Sequence, residues 1–191
     1  MILAVAVIAG VLIGILNARF HKVPWHPPEL AHIWLVALGF SLQFLAIYLP
    51  VTRRFFPDWL ASLYLIVSQG LLLVFCLVNV KKPGIIVLAI GLSLNLAAIL
   101  ANGGFMPLPT DTARSLLPRA VFDQLTVGGR LGTGSKDILL PTEWINLPWL
   151  ADRLKSPAGF LRPFVFSLGD VLIALGVVWS LTKFDTSYVS I

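Results

Sequence analysis

The chain has 191 residues, of which 58% are hydrophobic and only 12% charged, where a soluble globular domain carries about 25% charged residues. That deficit argues against an ordinary water-soluble domain and makes lipid the solvent for most of the chain. The net charge of +5 comes from scattered basic residues with no polybasic run, so no nucleic-acid partner is expected.

The first apolar stretch covers about residues 1–18. It lacks a basic segment ahead of it, and Arg19 and Lys22 follow it instead, so it reads as a retained membrane helix and not a cleavable signal peptide. A bilayer core about 30 Å thick needs about 20 apolar residues in a helix. Four further stretches meet that need, at about 31–50, 60–80, 84–101 and 164–182. The second opens after Pro27 and Pro28, which start a helix more readily than they sit inside one. Pro50 and Pro57 bracket the next turn, and Lys81, Lys82 and Pro83 make a very short one, so the third and fourth helices are expected to be antiparallel neighbours. Trp25, Trp34, Tyr48, Trp59 and Trp179 fall near span ends, as an interfacial aromatic belt requires. The lone Cys76 excludes an intrachain disulfide. The expected fold class is therefore all-α and integral to the membrane: five transmembrane helices with one long structured extracytoplasmic loop between helices 4 and 5.

Orientation follows from the basic residues in short loops. Arg19, Lys22, Lys81, Lys82 and Lys183 would share one side, against Arg53 and Arg54 on the other. The excess marks the cytoplasmic side, which puts the N-terminus outside, the C-terminus in the cytoplasm and loop 102–163 outside. That loop is not low in complexity. Residues 110–125 suit a short surface helix with Thr110 as its N-cap, broken at Pro118. GGRLGTGS at 128–135 is too glycine-rich for a regular element. DILLPTEWINLPWL at 137–150 is apolar and aromatic but twice interrupted by proline, which suits a segment packed over the helix ends.

Apart from Ser and Thr, and away from the span ends, the interior polar side chains are Gln43, Gln69, Asn95 and Asp170. With 1.5 Å of rise per residue and the span limits above, they fall in one layer on the side of the long loop. A carboxylate at mid-membrane costs about 2.5–3.5 kcal/mol on insertion scales, so it turns to a bundle interior or to water. Asp170 needs an amide, backbone, water or a loop cation such as Arg153 or Arg162 as partner, or else holds a proton. The simplest use of the four is interhelical hydrogen bonding, and the sharper one is a polar pocket for a ligand or a catalytic water. Asn102 extends the polar face of Gly91 and Asn95. It opens NGGFMP, where Gly103 and Gly104 supply the positive φ that ends a helix and Pro107 stops a restart.

His26 and His32 are the only weak metal candidates, and their spacing is not that of a helical metal pair. No phosphate loop, dinucleotide fingerprint or GxSxG occurs, so no cofactor is expected. Two carboxyls sharing a proton can activate water, and Asp170 with Asp137 is the one pair that suits such chemistry. FSLGDVLIALG and NGGF are faintly similar to segments of lipoprotein signal peptidases, whose GNxxDR motif this chain lacks.

A wider resemblance covers almost the whole chain. The short first helix, NLAAILANGGFMP, TEWINLPWLAD and FSLGDVLIALG, in that order, resemble a family of bacterial five-helix membrane proteins known only as a domain of unknown function. The resemblance implies the bacterial cytoplasmic membrane and no particular activity. The expected role is an accessory or assembly subunit of a larger membrane complex, with the bilayer and other membrane subunits as partners. The alternative is a small-molecule or lipid site, or an aspartyl-type hydrolase, built on Asp170 and Asp137.

Overall fold

The computed structural model describes residues 2–49, 56–131, 135–157 and 163–183. Pro50, Arg53, Arg54 and Arg162, which entered the reading of spans, orientation and counter-charges, lie outside the described residues.

The chain is mostly helical. Five apolar helices dominate it: α1 (Ile2–Phe20), α2 (Trp34–Gln43, continued by a π-helical turn Phe44–Tyr48), α3 (Asp58–Val78), α4 (Ile85–Ala101) and, after the loop elements, α7 (Leu168–Thr182). Two of them, α1 and α3, are long and apolar enough to cross a membrane, and the other three are shorter apolar helices. α7 starts four residues later than expected, because Val165–Phe166 (β4) pairs as a strand with Leu154–Lys155 (β3) and Ser167 caps the helix.

Packing fixes the helix directions. Leu35 near the start of α2 shares a buried cluster with Leu72 and Phe75 near the end of α3, and with Ile85 and Leu92 of α4. Asn79 accepts from the Ala31 amide (2.8 Å) and donates to the Ala31 carbonyl (2.9 Å), tying the approach to α2 to the end of α3. Helices α2, α3, α4 and α7 therefore alternate in direction, and the end of α2, the start of α3, the end of α4 and the start of α7 meet at one pole. Loop 102–163 sits on that pole.

Glycines let α4 and α7 touch backbone to backbone. Gly84 faces Gly176 and Gly91 faces Gly169, seven residues apart on each antiparallel helix. A Cβ on Gly91 would lie 2.6 Å from the Gly169 carbonyl oxygen, and one on Gly176 would lie 2.6 Å from the Leu88 amide nitrogen. Gly10 and Gly14 do the same for α1 against Leu181, whose carbonyl also accepts from the Trp25 indole at 3.2 Å.

The loop has its own small core. Met106–Pro109 (β1) runs parallel to Asp137–Leu140 (β2), with Met106 opposite Asp137. On its other edge β2 bonds to residues 129–131, through Leu139 N–H to the Gly129 carbonyl and Leu131 N–H to the Asp137 carbonyl. Helices α5 (Thr110–Leu116) and α6 (Arg119–Phe122) follow β1, parted at Leu117 and Pro118. Thr110 is the first residue of α5 and not its cap, which is Pro109. Leu108, Ala113 and Leu139 are buried together. Below them Phe105, Met106 and Leu150 join Ala46, Ile47, Leu65, Ala98 and Ile99 in the cluster that seals loop to bundle.

Candidate functional site

The Asn102 segment is the first joint between loop and bundle. Asn102 ends α4; its amide donates to the Ala98 carbonyl (2.8 Å) and the Asn146 carbonyl (2.8 Å), and its side-chain oxygen accepts from the Asn146 amide (2.9 Å). Gly103 and Gly104 have φ of +74° and +89°, and Gly104 lies so close to Ser62 that a Cβ would collide with its side chain. Pro107 stands inside β1 instead of merely blocking a helix. Met106 donates to the Lys136 carbonyl, while the Pro107 carbonyl accepts from the Asp152 amide at 3.0 Å. A proline is tolerated where its missing N–H faces away from the paired strand.

The second joint is a closed hydrogen-bond circuit at the start of α7. Asn95 donates to Asp170 Oδ1 (2.7 Å), Ser167 Oγ donates to Asn95 Oδ1 (2.7 Å), the Asp170 amide donates to Ser167 Oγ (3.0 Å), and the Ser167 amide donates to Asp170 Oδ2 (3.2 Å). This is a capping box with Asp170 in the first helical turn. A carboxylate there also meets the positive end of the helix dipole. Gly169 makes room for Asn95, since a Cβ there would overlap the Asn95 side-chain oxygen.

Gln43 and Gln69 are not in that circuit. Gln43 donates to Ser68 Oγ of α3 at 2.6 Å. Gln69 is buried, and its Oε1 has no hydrogen-bond partner among the described residues. Side-chain hydrogen bonds thus hold Gln43 to Ser68 between α2 and α3, and Asn95 to Asp170 between α4 and α7, in two separate places.

The charges gather around a lysine. Lys136 Nζ lies 3.2 Å from Asp152 Oδ2 and 3.7 Å from Asp137 Oδ1, with side-chain exposures of 31% for Lys136, 15% for Asp137 and 3% for Asp152. Burial disfavours the Lys136 ammonium, but attraction to Asp152, Asp137 and Asp170 outweighs it and holds the pKa above that of an ordinary lysine. Burial pushes the Asp152 carboxyl up, to about 8, with Lys136 opposing and Asp137 and Asp170 reinforcing the rise. Among the described basic residues Lys136 interacts electrostatically with Asp170, and Arg153 is exposed.

The expected dyad of Asp137 and Asp170 has no direct bond. Asp137 Oδ2 accepts from Ser135 (2.7 Å), and both Asp170 oxygens are engaged by Asn95 and Ser167. Asp137 Oδ1 and Asp152 Oδ1 are buried and receive no hydrogen bond among the described residues. At the opposite pole His32 Nδ1 accepts from the Trp34 indole (3.3 Å). No group of three His, Cys, Asp or Glu suited to a metal ion occurs among the described residues.

A family model matches residues 28–182, which span every residue of both joints and of the charge cluster. The chain belongs to DUF5317, a family of unknown function. No curated protein and no solved structure matches it. In this DUF5317 chain, sequence reasoning missed Ser167, Lys136 and Asp152. The Ser-x-x-Asp spacing in FSLGD is a capping-box signature and marked Ser167. Lys136 stands beside Asp137 in GSKDIL and Asp152 closes TEWINLPWLAD, so both were in view. Only the fold shows that they meet.

Proposed function

We propose that this DUF5317 chain is a five-span protein of the bacterial cytoplasmic membrane, with its N-terminus and long loop outside and its C-terminus in the cytoplasm. In this reading it serves as a non-catalytic accessory or assembly subunit of a larger membrane complex. The observation that carries it is the engagement of Asp170: each carboxylate oxygen accepts a hydrogen bond from within the fold, 2.7 Å from Asn95 and 3.2 Å from the Ser167 amide. A carboxylate held in this way anchors a helix start and has no need of substrate. The test is native-gel migration after extraction from its own membrane in mild detergent, with mass spectrometry of what co-migrates. A stoichiometric set of larger subunits is expected; migration alone or as a homo-oligomer would overturn the reading.

One observation favours a second reading, a small-molecule site or aspartyl-type chemistry at the loop. Asp137 and Asp152 each keep a buried Oδ1 that has no hydrogen-bond donor among the described residues, beside the Lys136 ammonium. Asp170→Asn separates the two. It leaves complex assembly intact in the first reading and abolishes any turnover that depends on Asp170 in the second.

A further inference from the structure

We infer that Asp152 is a buried proton-binding site through which the docking of the long loop responds to pH. The geometry is a seam where three parts of the chain converge: the entry to β2 with Lys136 and Asp137, the turn Pro148–Leu150 that ends in Asp152, and the start of α7 with Asp170. One ammonium faces three carboxylates, so the fully ionised seam carries two uncompensated negative charges. Asp152 is the more enclosed of the two carboxylates paired with Lys136, 3% exposed against 15% for Asp137. Its Oδ2 accepts from Lys136 at 3.2 Å, and its Oδ1 receives no hydrogen bond among the described residues. Both oxygens of Asp170 already accept hydrogen bonds within the fold. Asp137 has a buried Oδ1 but holds Ser135 through Oδ2.

A single proton on Asp152 halves the excess charge and leaves Lys136 to its two remaining carboxylates. The groups that act on Asp152 are Lys136 and Asp137 from the β2 side and Asp170 from α7, while its neighbours Arg153 and Lys155 are exposed. Asp152 also occupies a mechanical junction. Its backbone amide holds the Pro107 carbonyl of β1, and the turn before it buries Leu150 against the bundle. Loss of the proton places like charges in a buried seam between loop and helix, where they repel most strongly, and loosens that junction. This inference does not rest on the subunit reading above: the seam binds its proton whether or not the chain has partners.

Infrared spectroscopy of the full chain in detergent or lipid nanodiscs tests it, because a neutral carboxylic acid has a carbonyl stretch distinct from the amide bands. The expected result is such a band at pH 6 that titrates away as pH rises through about 8 and is missing from Asp152→Asn. Absence of the band at pH 6, or its survival in Asp152→Asn, overturns the inference. Asp137→Asn provides a second arm that leaves Asp152 in place. It removes one of the like charges, so the band stays and its titration midpoint moves to lower pH; an unmoved midpoint overturns the inference as well. Limited proteolysis of the loop gives the structural readout. Cleavage accelerates with rising pH in the unaltered chain and is independent of pH in Asp152→Asn, and a pH-independent wild-type pattern removes the link to docking.

Discussion

Asn102 presents its side-chain amide to the backbone of Asn146 as a strand would, accepting from its N–H at 2.9 Å and donating to its carbonyl at 2.8 Å. One side chain at the end of an apolar helix thereby pairs with a loop residue 44 positions later. Asn79 repeats the device at the opposite pole, with the Ala31 backbone in place of Asn146. Both asparagines also bond the carbonyl four residues before them, which holds the side chain in position for its long-range partner.

Asn102→Ala removes this pairing and leaves the Asn146 amide and carbonyl to find water. Orphaned polar groups cost about 1–3 kcal/mol when buried, but Asn146 is exposed and water can replace the lost partner, so about 1 kcal/mol of loop docking is expected to be lost. Hydrogen exchange at the Asn146 amide is the measurement: it should speed up markedly in the variant, with helix α3 unchanged. Asn102→Asp keeps the acceptor for the Asn146 amide and should fall between the two.

Glycines of α4 and α3 predict opposite outcomes at positions that look alike in sequence. Gly91→Ala forces a methyl against the Gly169 carbonyl and the Ile173 backbone, and overpacking of this kind costs about 1–3 kcal/mol. Gly70, within α3, has nothing within 4 Å of a built Cβ, so Gly70→Ala should be neutral or gain up to about 1 kcal/mol from helix propensity. Thermal unfolding of the two variants side by side reads the difference. Equal behaviour would contradict the close contact of α4 with α7.

Ser167→Ala removes the cap of α7 and the donor to Asn95 in one step. Loss of an N-cap costs about 1 kcal/mol, and the unpaired Asn95 oxygen adds to it. Asp170→Asn keeps an acceptor for Asn95 but returns an N–H to one site that needs an oxygen, so its cost should be smaller than that of Ser167→Ala. Chemical unfolding in detergent ranks the two, and the reverse order would mean that Asp170 does more than close the capping box.

Stability should fall as pH rises across the range between the ordinary Asp value of 3.8 and about 8. The sign follows from linkage. A carboxyl whose folded pKa is raised binds its proton more tightly in the folded chain, so the unfolded chain releases it first and gains on folding as pH climbs. An ordinary surface ion pair of Asp with Lys does the opposite at the acidic end. Melting temperature measured from pH 5 to pH 8.5 should decline, and in Asp152→Asn the decline should flatten. An increase over that range would exclude a raised Asp152.

The five apolar helices were legible in the sequence because each is a long run between prolines, lysines or the NGGF stop. Their exact starts were less so: hydropathy alone extended the last one to 164, whereas Ser167 sets its first turn. The parallel pair β1–β2 was not legible at all. Pro107 read as a stop to the helix, and pairing Met106–Pro109 with Asp137–Leu140 depends on a contact across about thirty residues that no local pattern encodes. The seven-residue glycine spacing on α4 and α7 was present in the sequence but has meaning only for two helices known to be antiparallel neighbours. Gln43 and Asn95 sit at similar depth, yet they bond on different helix pairs, because depth along a helix does not fix the direction in which a side chain points.

The glycine contacts have a consequence for the loop itself. They bring to near van der Waals distance the two helices from which the loop leaves and to which it returns, and Asn95, close to the end of α4, is bonded to Ser167 and Asp170 at the start of α7. The segment between is thus a closed excursion with both feet planted on one rigid footing. A change of chemistry at an exposed position away from that footing, such as Asp123 or Gln124, is expected to leave the helices beneath unaltered. The footing couples the two ends of the excursion, so a force on either end is shared through Asn95, Ser167 and Asp170 and does not part the helices one at a time.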